Sequence, residues 1–542
     1  MASITISKVY LLDVPLENDY KNTLFFTDAA SQQSYFNSRK VKEYSNLSYQ
    51  RKDYKIRVPE HIDRLYNCNY VMYQNSYYSN KWFYCFIKNM EYINDEVTEI
   101  EIETDVIQTW LFDYEVKPSF VEREHVSDDT RGLHTMPEGL ETGEYISNSK
   151  MIIESGGFCF VVATTRDYFD ADFKRVGGCI YNGIYSGMRY YALWTTADLE
   201  FFIKEYDGAG YGEDIYSIFV IPTSLIGDVP YNAGSPVYAI PQSANPTKCG
   251  ELKVGIPTKL DGYTPRNNKL LTFPYQYLLV DNLCGGSTDY RYELFDHIVG
   301  CSFRVDGAIC PGTSRILVPE AYAQSEESAG SDSVNYGLTL GKYPICNWNS
   351  DTYTNWLTQN SLNNQLQMIN GVTQIGLGTL TGVGMMATGA GAVAGATTIS
   401  SSVIGGVNQI AGVMATKYQQ QFSPMQSKGN INCGDVITSM RLNTAEFYKM
   451  SIKEEYARSI DKYFDMFGYQ VNMVKRPNKA HRSRWWYTKT IDVNIDGAIP
   501  NNDMQKIKNA YNQGITFWRN ASEIQNYDLT NGIAITEGSV TG

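Results

Sequence analysis

The sequence predicts a mainly β chain of α+β type, on three observations. Short aromatic and β-branched runs separated by Asn and Ser fill the first 150 positions. Glycine and proline then punctuate a long strand-like middle, and a helix, strand, strand, helix, strand order closes the chain. At 542 residues the chain is too long for one ordinary core. It divides by composition into residues 1–150, a middle region 151–345, a segment 346–440 and a C-terminal stretch 441–542.

In the first stretch Tyr70 to Tyr73 and Lys81 to Lys88 have strand composition. From Val97 to Ile107, Glu99, Glu101, Glu103 and Asp105 alternate with Ile100, Ile102, Thr104 and Val106. On a strand this period of two puts four carboxylates on one face and predicts a strongly negative wet surface. Two readings stay open: a solvated sheet face, or a channel wall that a polyanion passes without sticking. In the middle region, Gly156-Gly157, Gly177-Gly178, Gly285-Gly286 and the Pro222 to Pro257 stretch predict one or two β-rich domains with long loops. Gly208-Ala-Gly-Tyr-Gly212 precedes the strand-like Ile215 to Ile221 instead of following a strand and opening a helix, so it is not a phosphate cradle.

Residues 352 to 416, 65 in a row, carry no charged side chain. Independent placement at the chain's charge density would leave such a gap about once in a million trials, so chance does not explain it. Eleven glycines fall between Gly371 and Gly412, with Ala, Thr, Ser, Val, Ile and Met filling most of the rest. Gly378 and Gly382, and Gly391 and Gly395, have the spacing that lets helices approach closely inside lipid. Apolar side chains in and just beyond this stretch include Ile375, Leu380, Met385, Met386, Val393, Ile399, Val403, Ile404, Val407, Ile410 and Val413. With Gly371 they make the candidate membrane-active segment. Glycine costs about 1 kcal/mol per helical residue and Ser and Thr dilute the apolarity, so a permanent anchor is disfavoured. Conditional insertion into a bilayer fits better, with a Gly/Ala hairpin packed inside an oligomer as the alternative.

In the C-terminal stretch Ser451 and Glu454 have capping-box spacing. Ile452, Tyr456, Ile460, Tyr463, Phe464 and Phe467 follow as a helical stripe, and Gly468 stops it. Strands are expected at Tyr469 to Val474 and Trp485 to Ile495. A second helix capped by Asn502 should run from Asp503 to Asn512 and end at Gly514, before a strand at Ile515 to Trp518.

Composition excludes several classes of function. Lys and Arg number 46 against 59 Asp and Glu, and a net charge of −13 argues against a nucleic-acid binder. Charged residues are only 19% and the 42 tyrosines lift aromatic content to 13%, a surface suited to large subunit contacts. The ten cysteines show no CxxC, and the histidines His61, His125, His134, His297 and His481 share no ligand motif, so buried thiols and neither metal nor cofactor are expected. No GxSxG, Walker loop or EF-hand occurs, and an enzyme is not expected. Met1 to Asp13 lack a basic region followed by an apolar one, so no signal peptide is expected and synthesis belongs in a cytoplasm. The run Lys475, Arg476, Lys479, His481, Arg482, Arg484 and Lys489 predicts a positive face for an acidic neighbouring subunit.

A resemblance accompanies these readings. Asn18-Asp-Tyr-Lys-Asn-Thr23, Asn80-Lys-Trp-Phe-Tyr84, Thr104-Asp-Val-Ile-Gln-Thr-Trp-Leu-Phe-Asp113 and Phe120-Val-Glu-Arg-Glu-His-Val126 resemble the N-terminal half of tail knob proteins, the distal tail-tube subunits of small short-tailed phages. Phe467-Gly-Tyr-Gln-Val-Asn472, Lys475-Arg-Pro-Asn478, Tyr487-Thr-Lys-Thr490 and Gly514-Ile-Thr-Phe-Trp518 resemble the C-terminal part of the same family. The likeness implies a β-rich tail-tube domain built from both chain ends, with an inserted β-rich middle region and a long uncharged loop. It implies a homo-oligomer, typically a hexameric ring, at the virion tail tip, in contact with other tail proteins and made in the cytoplasm of a host bacterium. It also implies that residues 352–416 plug the lumen and later enter the host cytoplasmic membrane as a pore. The acidic alternation adds to this: facing inward in such a ring, Glu99, Glu101, Glu103 and Asp105 would line the channel and repel passing genomic DNA. A tail adhesin for cell-wall glycan, without pore formation, is the alternative.

Overall fold

The computed structural model describes residues 7–47, 54–75, 80–153, 157–181, 183–227, 235–242, 248–283, 285–295, 300–310, 315–323, 336–341, 345–347 and 445–533. The chain is mostly strands and forms two compact units: Met1–Gly143, Gly262–Leu271 and Glu454–Gly542 make the first, Glu144–Asp261 and Thr272–Lys453 the second.

The first unit holds a six-stranded sheet in the order Lys40–Leu47, Ser7–Leu12, Tyr70–Asn75, Trp82–Asn94, Val97–Thr104, Lys55–Val58, antiparallel throughout. Its central strands are apolar on both sides because both sides are covered there. Val9, Leu11, Val71, Tyr73, Phe83 and Cys85 enter one core, while Tyr10, Leu12, Tyr70, Met72, Tyr84 and Phe86 enter another. That is why Tyr70 to Tyr73 runs apolar without alternation. The second sheet of this unit joins the chain ends, in the order Asn22–Leu24, Ile515–Trp518, Trp485–Ile491, Ser119–Glu124, Tyr469–Lys475. Asn22–Leu24 runs parallel to Ile515–Trp518 and the other pairs are antiparallel. Trp486 and Phe517 enter the first core, Trp485 and Trp518 the second. A β-rich domain built from N- and C-terminal segments is therefore what the chain forms.

The second unit holds three larger antiparallel sheets. One is Tyr238–Ala239, Arg189–Leu193, Phe158–Thr164, Ile215–Pro222, Ile345–Asn347, with helix Thr196–Gly208 packing Leu199, Phe202, Ile203 and Tyr206 on its face. A second is Lys248–Val254, Cys301–Asp306, Arg315–Glu320, Leu338–Leu340, and the third Tyr145–Ile152, Glu446–Ile452, Gln276–Asp281, Ser287–Tyr290.

The C-terminal expectations hold in order and fail at the caps. The first helix is Glu454–Phe467, and Gly468 ends it at φ +65, its N–H donating to Phe464 at 2.8 Å. A Cβ there would lie 2.1 Å from the Glu124 carbonyl oxygen, so only glycine fits. Ser451 makes no capping box: it lies inside strand Glu446–Ile452, accepting from the Asn148 amide at 2.7 Å. The second helix is Asn501–Gln513, beginning after Pro500 with no side-chain cap, because a preset proline φ starts it before Asn502. Trp485 to Ile495 is not one strand. A bulge after Lys489 shifts the register, Ile491 turns outward at 53% exposure, Thr490 is buried, and Asp492 takes φ +52.

Candidate functional site

The acidic strand forms as Val97–Thr104, yet its face is not negative. Glu99 is almost buried and pairs with Lys55 at 2.5 Å and Arg57 at 2.8 Å, contacts that hold its carboxyl below the ordinary range, Lys55 foremost. Glu103 meets Lys506 at 2.6 Å and Lys88 at 3.6 Å and is lowered chiefly by Lys506. Glu101 stands opposite Lys55 in the ladder. Asp105 leaves the face altogether. It caps helix Val106–Trp110, accepting from the Gln108 N–H at 3.0 Å and the Tyr70 hydroxyl at 2.8 Å. Burial raises its carboxyl to about 6. The expectation of four carboxylates on one wet face is corrected: the strand ends one residue too early, and cations from neighbouring elements pair with Glu99 and Glu103.

Four cations of the basic run are paired in the same way, and Lys479 is not among them. Lys475 pairs with Glu124 at 2.6 Å, Arg476 with Glu115 at 3.0 Å and Lys489 with Glu122 at 2.8 Å, while Arg484 pairs with Glu523. Three of these acids come from the N-terminal segment, so the cations join the two chain ends within one copy. Arg482 is buried and donates to the Asn531 carbonyl at 3.4 Å.

Residues 262–271 were not anticipated as part of this unit. Asp461 and Asp465, one helical turn apart, face them: the Tyr263 hydroxyl donates to Asp461 at 2.6 Å, the Arg266 N–H at 2.8 Å, and the Asn267 amide to both aspartates at 2.9 and 2.8 Å. Lys269, itself buried, pairs with the equally buried Glu138, which also takes Arg123. Two aspartates at i, i+4 on an otherwise apolar stripe were the available signal.

No chemistry-bearing cluster competes with this architectural reading. Among the described residues no group of His, Cys, Asp and Glu could hold a metal ion. His125 is buried: its Nδ1 accepts from the Tyr487 N–H at 2.8 Å, leaving Nε2 to donate to the Asp465 carbonyl at 3.0 Å. Cys68, Cys159 and Cys179 are buried free thiols, and Cys85, Cys301 and Cys310 are buried too. No described helix is long and apolar enough to cross a membrane. The candidate membrane-active residues from Gly371 to Val413 lie outside the described residues.

The comparisons say what kind of protein carries this two-ended β unit joined by ion pairs. Residues 5–115 match the family model described as the N-terminus of the Caudoviral major tail protein, a likeness to phage tail components. Residues 243–532, more than half of the chain, match the model for the C-terminal domain of tail knob protein gp9 of Bacillus phage phi29, and the chain belongs to that tail knob family. Similar relatives are the tail knob proteins gp9 of Bacillus phages B103 and phi29, each 28% identical over 96% of this chain and 97% of theirs. The bacteriophage C1 tail knob protein gp12 shares the fold at a TM-score of 0.64 and 15% identity, over 97% of this chain and all of that one.

Proposed function

We propose that this tail knob protein forms the distal tube for DNA ejection as a ring of copies, typically six. Its uncharged segment closes the lumen in the virion and enters the host cytoplasmic membrane on infection, opening a pore. The observation that carries this reading is the run of 65 uncharged, glycine-rich residues from 352 to 416 in a chain that places all its charged side chains elsewhere. The flanking strands support it. Ile345–Asn347 pairs with Ile215–Pro222, and Glu446–Ile452 lies inside a four-stranded sheet, so the stretch of chain that contains the segment leaves from one sheet strand and returns to another. Glu99 and Glu103 suit a channel wall in a modified sense: matched by Lys55, Arg57, Lys88 and Lys506 they present little net field to passing DNA, and Glu101 between them adds a carboxylate that repels it.

Dye release from liposomes tests the pore. The full-length protein should release dye, and a version lacking residues 367–416 that assembles normally should not. Equal release by both would remove the pore role.

One observation favours an additional adhesin role. The hairpin Cys179–Tyr181 and Ile184–Ser186 exposes Ile180, Ile184 and Tyr185, the last at 72%. Aromatic tips of this kind stack on sugars. Loss of cell-wall binding on Tyr185→Ser, with assembly intact, is the expected outcome.

A further inference from the structure

We propose that an aromatic pocket in the first unit receives the tip of the hairpin Trp82–Asn94/Val97–Thr104 from a second copy of the chain, joining copies head to tail. This rests on the ring reading above and assigns its contact surfaces.

The pocket is lined by Phe25, Phe112, Pro477, Trp486, Tyr511 and Phe517, among others, and encloses about 170 Å³. A cavity of roughly 150 Å³ takes one benzene-sized group, so this one has room for a single large apolar side chain. Phe112 is 45% exposed. The rim is basic. Lys479 lines the pocket with no carboxylate within ion-pair distance among the described residues. Arg519 lies over the Phe25 and Trp486 rings at 5.9 and 5.6 Å and donates to the carbonyls of Arg482 and Ala480 instead of to an acid.

The same unit exposes the complementary shape. Strand Trp82–Asn94 runs for 13 residues, and beyond Met90 it stands in solvent. Ile93 is 41% exposed, and Tyr92 beside it leans edge-on against His61. Around them Glu91, Asp95 and Glu96 are exposed, and none meets a cation within ion-pair distance among the described residues. Asp95 takes only the Tyr92 hydroxyl, at 2.6 Å. An apolar knob ringed by unpaired carboxylates thus matches an aromatic socket rimmed by cations lacking carboxylates, and a long like-charged mismatch would repel. Knob and socket are different surfaces of one protomer, so every copy gives one and takes one. Such heterologous contacts propagate and close into a ring when the rotation allows. Ile93 is the anchor of the contact and the charges set its register.

Light scattering on the purified full-length protein tests it, with circular dichroism confirming that each variant folds. The wild type should form rings, and Ile93→Asp, Glu96→Lys and Lys479→Glu should each raise the concentration for half-assembly by about tenfold or more. The double variant Glu96→Lys/Lys479→Glu should assemble better than either single one. An equimolar mixture of Ile93→Asp and Lys479→Glu should stop at pairs, since each retains the half the other lacks. Rings from Ile93→Asp as stable as the wild type would overturn the contact and leave the ring reading standing. Variants that form normal rings but fail to attach to the tail would overturn it in favour of another tail protein in the pocket. A wild type that stays monomeric overturns the ring reading and this contact with it.

Discussion

Burial takes the proton off His125 and puts one on Asp465, and the two effects oppose each other. The ordinary imidazole titrates near 6.5, but burial lowers the His125 ring to about 3. As pH falls through 6.5 the unfolded chain takes up a proton that the folded one refuses, so stability drops across the window from 6.5 to 3. Burial raises the Asp465 carboxyl from 3.8 to about 6. The folded state holds that proton longer than the unfolded state does, so this group contributes most below 3.8, and its contribution is lost as pH rises through 6. Asp465→Asn, which keeps an acceptor for Asn267, should therefore be more stable than the wild type at pH 7 to 8 and nearly equal to it at pH 4. It should also expose the full acid slope of His125. Urea unfolding at a series of pH values measures both, and a variant weaker than the wild type at pH 8 would contradict the assignment. Little at this scale was legible in advance. His125 stood in the sequence as an isolated histidine, and its neutrality comes from burial and from the Arg482 cation, more than 350 positions away.

Strands that share a sheet while lying at opposite ends of the sequence make the first unit cooperative. Ser119–Glu124 sits between Trp485–Ile491 and Tyr469–Lys475, and the only described strand beside Asn22–Leu24 is Ile515–Trp518. Removing residues 454–542 should thus abolish hydrogen-exchange protection in Ser119–Glu124 and Asn22–Leu24, although both lie more than 300 positions from the cut. Retained protection there would show that the N-terminal segment folds alone. Legibility at this scale followed periodicity. Helix Glu454–Phe467 and strand Ile515–Trp518 were clear because apolar spacing and a terminal glycine agree. Helix Ala29–Ser38 was hidden, since only Gln32 and Phe36 of its ten residues are buried and no apolar stripe marks it. Helix Thr196–Gly208 carried a readable sign that was passed over: Thr195 and Asp198 form a capping box. The acidic alternation misled because a period of two fixes which side chains share a face and says nothing of what faces them. Lys55, Arg57 and Lys506 come from other elements, and only the fold brings them to Glu99 and Glu103.

For the whole molecule, charge is unevenly spent. All the Lys, Arg, Asp and Glu lie outside residues 352–416, and in the first unit many are paired across the two chain ends. A body locked by ion pairs and a long insert with none are suited to different places: the first to a fixed tube, the second to a lumen or a bilayer, where an unpaired charge is costly. Imaging of the assembled tail tip before and after ejection tests this most directly. The account predicts residues 352–416 inside the lumen of the intact particle and at the membrane after DNA release; finding them on the outer surface of the closed tip, unchanged by ejection, would contradict it.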